Sequence, residues 1–485
     1  MLFNSYIFIF AFLPFTFFIY FYLNSLKLTV VAKSFLVFAS LFFYSWWNIA
    51  YLPIILSSML FNYGMGISLS KVSEQSRVNK KVLLTFGIIA NVGLLGYFKY
   101  ADFFITNVNH LFGTDAGLLH LALPLAISFF TFQQIAYLVD SYRGETKEYD
   151  FLNYANFVTF FPQLIAGPIV HHSEMMPQFA KTANKVMRYP NIALGLFIFS
   201  IGLFKKVIIA DTFAIWATAG FDHAPQLHMI EAWVTSLSYT FQLYFDFSGY
   251  TDMAIGAALL FNIKLPLNFN SPYKATNIQD FWRRWHITLS RFLREYIYIP
   301  LGGNKKGEFR TYGNLMATFL IGGIWHGAGW TFLFWGFLHG MAIIVQRAWN
   351  KVGFRLHTVL AWFITFNFIN ITWVFFRAKE WDDAIKVLSG MFSGALVLPS
   401  EWKEILYGIL GDSVYYGYWL HSISTDTYTM YWIMAGLFVV VALKNTNELA
   451  QKFKPNLWTM LYAVGLFLIA AASLSKLSEF LYFNF

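Results

Sequence analysis

The segment "GGIWHGAGW" (residues 322–330) places His326 among glycines and tryptophans, inside an apolar run from Leu315 to Val345. A neutral imidazole can accept a proton near pH 7, which the activation of a weak hydroxyl nucleophile requires. The alternative is a histidine that packs, or that links two helices through a hydrogen bond. Because ionisable groups in such apolar surroundings are rare and usually functional, we interpret His326 as a candidate general base.

A second histidine, His286, lies in "TNIQDFWRRWHITLSRFLREYIYIPLGGN" (residues 276–304). Large apolar residues recur there at three- and four-residue steps, which predicts an amphipathic helix at a membrane interface. Its other faces carry four arginines, namely Arg283, Arg284, Arg291 and Arg294. These arginines either anchor the helix to lipid or form a basic rim that binds the phosphates of an anionic donor substrate.

Other polar residues in apolar segments have structural interpretations. Asp246 and Asp252 follow an apolar run, where a carboxylate must pair with a base, face the interior or border water, and we favour structural pairing. We interpret His339 as structural too. His171 and His172 lack a third residue at metal-ligand spacing, so we predict no metal site.

The elements that position these residues are predicted to be membrane helices. Of the 485 residues, 58% are hydrophobic and only 12% are charged, whereas soluble domains have about 25% charged residues. We therefore predict an all-α polytopic membrane protein with about 11–13 transmembrane or re-entrant helices, plus interfacial amphipathic helices. The crossings are expected near residues 6–24, 30–47, 50–69, 82–98, 117–139, 153–169, 192–210, 230–248, 356–377, 429–446 and 457–478.

The distribution of charge predicts the orientation of these helices. The net charge is +9, and the region 264–312 alone contains nine basic and three acidic residues. The positive-inside rule makes this basic amphipathic region cytoplasmic, so the charge is not a sign of nucleic-acid binding. The chain has no cysteine, which excludes disulfides, thiolate metal ligands and a cysteine acyl carrier.

The broken apolar segment 314–346 is flanked by basic residues on both sides, Arg310 before it and Arg347 after it. It is therefore predicted either to enter and return on one side or to form a tight pair of crossings. Four glycines between residues 322 and 329 permit a break beside His326. Such a break requires a covering of protein or a water-filled cavity. We treat residues 1–485 as a single membrane-embedded domain.

Four segments resemble the membrane-bound O-acyltransferases, in the bacterial branch that includes the alginate O-acetyltransferase membrane subunit. They are "FFPQLIAGPIV" (160–170), "YFDFSGYTDMAIG" (244–256), "NFNSPYKATNIQDFWRRWHITLSRFLREYIYIPLGGN" (268–304) and "GGIWHGAGWTFLFWGFLHG" (322–340). The resemblance implies that His326 is the catalytic histidine and that His286 is the second signature histidine. It also implies helices around a thinned centre, with a cytoplasmic funnel that leads to His326.

The C-terminal tail, residues 479–485, is predicted to be extracytoplasmic. Its residues Phe480, Tyr482 and Phe485 match a Phe-x-Tyr-x-x-Phe motif of related envelope acylation systems. That likeness suggests Tyr482 as an acyl relay. The alternative is an aromatic anchor at the membrane interface.

The resemblance implies an O-acetyltransferase in the cell inner membrane that uses acetyl-CoA, or an acyl-carrier thioester, as donor substrate without a bound cofactor. The expected acceptor is an extracytoplasmic polysaccharide such as alginate, and the expected partner is an extracytoplasmic serine-hydrolase-like acetyltransferase subunit. Peptidoglycan O-acetylation and teichoic acid D-alanylation use similar membrane subunits. Outside this class, a transporter of envelope precursors would show paired broken helices in two related halves. A scaffold of a secretion complex would retain its function without His326.

Overall fold

The computed structural model describes residues 1–71, 79–146, 150–165, 167–424, 428–474 and 481. Within these ranges the protein is helical, apart from a short parallel sheet of β1 (Val397–Pro399) and β2 (Tyr415–Gly417). The α-helices are α1 Leu13–Ser25, α2 Thr29–Ser45, α3 Leu52–Lys71, α4 Lys80–Leu95, α5 Ala101–Phe112, α6 Ile127–Arg143, α7 Phe151–Thr159, α8 Phe161–Leu164, α9 His172–Ala180, α10 Tyr189–Phe204, α11 Asp211–Thr218, α12 Met229–Leu260, α13 Ile278–Trp282, α14 Ile287–Leu293, α15 Glu308–His326, α16 Trp330–Val352, α17 Thr358–Arg377, α18 Trp381–Ser393, α19 Lys403–Leu410, α20 Tyr428–Ala442, α21 Thr446–Gln451 and α22 Leu457–Ala472. Wider π-helical turns join or extend several of them, at Phe8–Phe12, Gly96–Tyr100, Lys205–Ala210, Ala219–His223 and Arg294–Tyr298.

The all-α polytopic prediction is confirmed. Among the described residues, five helical runs are long and apolar enough to cross a membrane, namely Phe8–Ser25, Ile49–Lys71, Lys80–Phe112, Tyr189–His223 and Thr358–Arg377. Three shorter apolar helices, α2, α20 and α22, accompany them. Together these elements correspond to eight of the eleven predicted crossings.

The other three predicted crossings lie largely in the protein interior, although residues 117–120 are exposed. Over 117–139 the α-helix begins only at Ile127. The prediction of a crossing over 153–169 is wrong, because α7 has nine residues and α8 has four, too few for a hydrocarbon core of ~30 Å. The third crossing, 230–248, belongs to α12, in which 28 of 32 residues are buried. Hydropathy alone does not separate helices that face lipid from those that face protein.

The single amphipathic helix predicted over 276–304 is also wrong. The segment forms two short helices, α13 and α14, and between them His286 has a left-handed backbone with φ of 40°. The apolar stripe packs inward, since Phe281 is 0% exposed and Trp285 is 1% exposed. Trp285 contacts Trp373 of α17, with ring centroids 5.0 Å apart. This segment is therefore part of the core and carries His286 inside the protein.

Candidate active site

The helices α15 and α16 form an antiparallel hairpin whose turn is Gly327–Gly329, directly after His326. Glycines let the two helices approach closely. A Cβ atom on Gly323 would lie 2.5 Å from the Phe332 carbonyl oxygen, and one on Gly336 would lie 2.5 Å from that of Phe319. Both distances are shorter than a van der Waals contact, so a side chain at either position would push the helices apart. The hairpin thus holds the end of α15 against α16.

His326 is the last residue of α15 and is 3% exposed. Its imidazole is surrounded by rings from three helices. The ring centroids of Trp325, Trp335 and Phe376 lie 4.9, 5.2 and 5.0 Å from that of His326. This aromatic wall keeps bulk water from the imidazole.

His286 is fully buried, and its hydrogen bonds fix its tautomer. The Asn268 side-chain oxygen accepts from the Thr288 backbone N–H at 3.3 Å and lies 3.0 Å from His286 Nδ1. Since this oxygen is an acceptor, His286 Nδ1 carries the hydrogen and Nε2 carries the lone pair. The His286 ring lies 6.2 Å from the ring of Trp325, which also contacts His326. The rings of His286 and His326 therefore both lie beside the ring of Trp325.

His339 has both ring nitrogens in hydrogen bonds, which agrees with a structural role. The Trp282 indole N–H donates to His339 Nδ1 at 3.2 Å. An indole nitrogen can only donate, so Nε2 carries the ring hydrogen of His339. That nitrogen lies 3.1 Å from the Thr372 hydroxyl oxygen. Neither nitrogen is left to take a proton from a substrate.

A basic cavity of about 610 Å³ lies between α13, α14 and the hairpin. One part of its wall is apolar and another carries cations, which suits a ligand with an apolar arm and an anionic head. Its lining includes Trp282, Leu293, Arg294, Phe319, Arg347 and Lys351. Arg347 and Lys351 both pair with Glu308. Among the described residues, no carboxylate pairs with Arg294.

The four predicted donor-binding arginines are not brought together. Arg294 lines the basic cavity. Arg291 instead binds Glu174 through two hydrogen bonds of 2.5 and 3.0 Å. Burial raises the pKa of Glu174, but these bonds outweigh it and hold the pKa below its usual value. Arg284 pairs with Asp280 at 2.9 Å, and Arg283 is exposed and away from the cavity lining.

A second cavity, of about 330 Å³, lies at the turn of the hairpin, and we call it the tip cavity. Gly327, the neighbour of His326, is part of its wall. Thr318 lines the basic cavity and precedes His326 by eight residues, which is about 12 Å along a helix axis. The tip-cavity wall also includes Tyr97, Lys99, Asp102, Leu123 and Phe332. The helix α15 thus extends from one cavity to the other and ends in His326.

The two buried aspartates pair with lysines, as their structural interpretation predicts. Asp246 lies 2.6 Å from Lys206, and Asp252 lies 2.8 Å from Lys205. Asp246 also accepts the backbone N–H of Leu481 at 3.1 Å, so one residue of the C-terminal tail contacts the interior of the protein. The proposed relay residue Tyr482 lies outside the described residues.

Sequence reasoning did not identify two of the site residues, Lys99 and Asn268. A lysine at the end of an apolar run is a detectable signal, whereas nothing in the local sequence marks Asn268 as the partner of His286. Within the described part of the chain, no group of three or more histidine, cysteine, aspartate or glutamate side chains could hold a metal ion.

His326 is thus a buried histidine of a multi-pass membrane protein, at the end of a helix that contributes to the wall of the basic cavity and is followed by the wall of the tip cavity. The sequence pattern of the membrane-bound O-acyltransferase family, MBOAT, matches residues 9–378. That range includes His286 and His326. The chain belongs to the membrane-bound O-acyltransferase family and is an acyltransferase.

Three relatives show the range of that family. A peptidoglycan O-acetyltransferase of Helicobacter pylori is 52% identical over 100% of this chain and 98% of its own length. A probable alginate O-acetylase, AlgI, of Pseudomonas aeruginosa is 40% identical over 81% of this chain and 75% of its own. A teichoic acid D-alanyltransferase of Bacillus subtilis is 30% identical over 53% of this chain and 69% of its own.

Proposed function

We propose that this acyltransferase moves an acetyl group from a cytoplasmic thioester to an extracytoplasmic polysaccharide, and that the polysaccharide is peptidoglycan. The observation that carries the proposal is the position of the buried His326 at the end of α15, next to Gly327 in the wall of the tip cavity and eight residues after Thr318 in the wall of the basic cavity. The helix has 19 residues, about 28 Å at 1.5 Å per residue, and the proposal assigns its two ends to opposite sides of the bilayer.

The basic cavity is assigned to the donor. It lies beside the cation-rich region 264–312, which the positive-inside rule makes cytoplasmic. Acetyl-CoA carries phosphates, and Arg294 supplies a cation in the cavity that no described carboxylate neutralises. The apolar end of the cavity suits the acyl arm. A carrier-protein thioester is the alternative donor.

The tip cavity is assigned to the acceptor hydroxyl. The hydroxyl oxygen attacks the thioester carbonyl carbon while the neutral imidazole of His326 takes its proton. The tetrahedral intermediate then collapses, the C–S bond breaks, and the sulfur leaves into the basic cavity with the proton that His326 had taken, which returns His326 to its neutral form. The new C–O bond forms an ester on the acceptor. His286 supplies a second imidazole, whose Nε2 accepts a hydrogen bond from the incoming group.

The identity of the polymer rests on the relatives. The Helicobacter pylori peptidoglycan O-acetyltransferase matches along the whole chain, which supports peptidoglycan. Alginate, expected first from the sequence, becomes the second candidate because the alginate relatives match 81% of the chain at lower identity. The proposal includes the cell inner membrane as location, a serine-hydrolase-like partner on the outer side, and Tyr482 as the residue that carries the acetyl group to it.

The proposal is tested with purified protein in nanodiscs, its serine-hydrolase-like partner, acetyl-CoA and glycan fragments of peptidoglycan or alginate. Removing a general base lowers kcat about 10²–10⁴-fold, so His326→Ala should show that loss. The exposed His421 is the matched control, and His421→Ala should keep wild-type turnover. Full activity of His326→Ala would overturn the mechanism. Acetylation of alginate fragments alone would overturn the polymer assignment.

The relay is tested separately by intact-protein mass after incubation with acetyl-CoA. Wild type should carry an acetyl adduct that Tyr482→Phe lacks, because only tyrosine offers the hydroxyl. An adduct that persists in Tyr482→Phe would remove this residue from the mechanism without affecting the role of His326.

A further inference from the structure

Lys99 binds the end of the helix that carries His326. It lies in the π-helical turn Gly96–Tyr100, within the apolar run Lys80–Phe112. Its ammonium nitrogen is 2.7 Å from the Trp325 carbonyl oxygen and 3.0 Å from that of His326. The Ser128 hydroxyl oxygen is the third neighbour, at 3.2 Å. A cation thus holds the final turn of α15 from a helix far away in the sequence.

The chemistry of a helix end explains the contact. The last carbonyls of an α-helix have no partner inside the helix and carry partial negative charge. α15 ends where the backbone turns at Gly327, so the two carbonyls before the turn need donors from elsewhere. Three N–H donors of an ammonium group match the three acceptors around Lys99. All three N–H groups of Lys99 donate to protein oxygens. No N–H group of Lys99 is left to donate to a reacting oxyanion.

The next residue makes the same kind of contact. The Tyr100 hydroxyl donates to the Ile324 carbonyl oxygen at 2.7 Å. Two consecutive residues of the π-helical turn therefore hold three consecutive carbonyls of α15, at residues 324 to 326. The Trp325 indole N–H adds a bond to the Ser128 carbonyl at 3.2 Å. This set of bonds fixes the last turn of α15 in both position and rotation.

We propose that Lys99 is a positioning residue for His326: its ammonium group, in the wall of the tip cavity, caps α15 and sets where the imidazole meets the acyl donor and the acceptor hydroxyl. This inference rests on the proposed role of His326. A displacement of about 1 Å in a catalytic group can lower a rate about 10²-fold. Loss of the cap therefore affects kcat rather than the binding of the donor.

The experiment exchanges the ammonium group chemically. The chain has no cysteine, so in Lys99→Cys the single thiol can be alkylated with 2-bromoethylamine, which restores an ammonium at nearly the length of lysine. Lys99→Cys should lower kcat about 10–100-fold with the KM for acetyl-CoA unchanged. Aminoethylation should restore most of kcat.

Lys386 provides the matched control. Its ammonium also caps a helix end, at 2.8 Å from the Phe221 carbonyl oxygen and 2.9 Å from that of Ala224. Lys386→Cys should keep the wild-type kcat, because it removes a similar cap that makes no contact with α15. An equal loss of kcat in Lys386→Cys and Lys99→Cys would overturn the inference, since the effect would then be general destabilisation.

Further outcomes decide between the roles. An unchanged kcat in Lys99→Cys, or a raised KM for acetyl-CoA with unchanged kcat, overturns the positioning role. If Lys99→Cys does not give monodisperse protein, Tyr100→Phe removes one bond of the set and should lower kcat severalfold. An unchanged kcat in Tyr100→Phe overturns the inference.

His326→Ala, measured alongside, separates the proposed function from the positioning role of Lys99. Full activity of His326→Ala refutes the proposed function, whereas an inactive His326→Ala beside a fully active Lys99→Cys refutes only the positioning role.

Discussion

Replacement of Asn268 by leucine tests how His286 is held in the site. The Asn268 oxygen receives the His286 Nδ1–H at 3.0 Å and the Thr288 N–H at 3.3 Å, and Asn268 is 1% exposed. The Thr288 hydroxyl also donates to this oxygen, at 2.9 Å, so leucine would leave three buried donors without their acceptor. Each such loss costs about 1–3 kcal/mol, so we expect a fall in the free energy of unfolding of about 3–9 kcal/mol.

Activity should fall together with stability. The left-handed backbone of His286 costs about 1–3 kcal/mol by itself, so the residue keeps this conformation only while its surroundings hold it. Without the Asn268 oxygen the ring can rotate or exchange its tautomer, and kcat should fall about 10–100-fold. Asn268→Asp keeps an oxygen acceptor for these donors and should retain more activity than Asn268→Leu.

Thermal unfolding in detergent and acetyl-CoA turnover measure the two effects. Asn91→Leu is the matched control, because Asn91 is 3% exposed and bonds to Asn62 through its side chain at 2.7 Å. That variant should lose stability while the molecules that stay folded keep the wild-type kcat. Unchanged Tm and kcat in Asn268→Leu would refute the reasoning. Equal losses in Asn268→Leu and Asn268→Asp would refute the assigned tautomer.

Three further predictions concern the donor, the hairpin and pH. Arg294→Gln should raise the KM for acetyl-CoA about tenfold, the equivalent of ~1.4 kcal/mol for one charge-assisted contact, while Arg283→Gln should leave this KM unchanged. Gly336→Ala should destabilise the protein by about 1–3 kcal/mol, because the added Cβ would lie 2.5 Å from a carbonyl oxygen of α15, whereas Gly313→Ala meets nothing within 4 Å and should be neutral in thermal unfolding. The pKa of Glu174 lies below its ordinary value of 4.5 in the folded protein, so its pairing stabilises the fold above that pH and is lost as pH falls through the folded pKa. The Tm difference between wild type and Glu174→Gln should therefore shrink below about pH 4.5, and a constant difference would contradict the pairing.

Much of the membrane architecture follows from the sequence because hydropathy is a property of each segment by itself. Eight predicted crossings match helices, and the break after His326 lies among glycines that allow it. Hydropathy wrongly predicted a membrane crossing over 153–169, where the structure has the short helices α7 and α8. An apolar side chain has the same hydropathy whether its neighbours are lipid tails or protein, so burial inside the protein was not visible.

The directions of the arginines in residues 276–304 were predicted wrongly for a different reason. An uninterrupted helix over 276–304 would keep Arg291 and Arg294 on neighbouring faces, as the spacing predicts. The left-handed residue His286 interrupts the helix, and a π-helical turn begins at Arg294. Arg291 then pairs with Glu174, which precedes it by 117 residues, and Arg294 lines the cavity. Local propensity does not encode either change of direction.

The sequence by itself determined the class of the protein, identified His286 and His326 as candidate site residues, and located the helix break. It could do so because composition, residue spacing and glycine content are local quantities. Only the tertiary structure decided what holds those histidines. Lys99 meets the carbonyl of His326 across 227 residues of chain. The acceptor of His286 is Asn268, on a separate segment before α13. Such contacts arise from the packing of whole helices, because a hydrogen-bond donor takes the partner that the fold brings within about 3 Å.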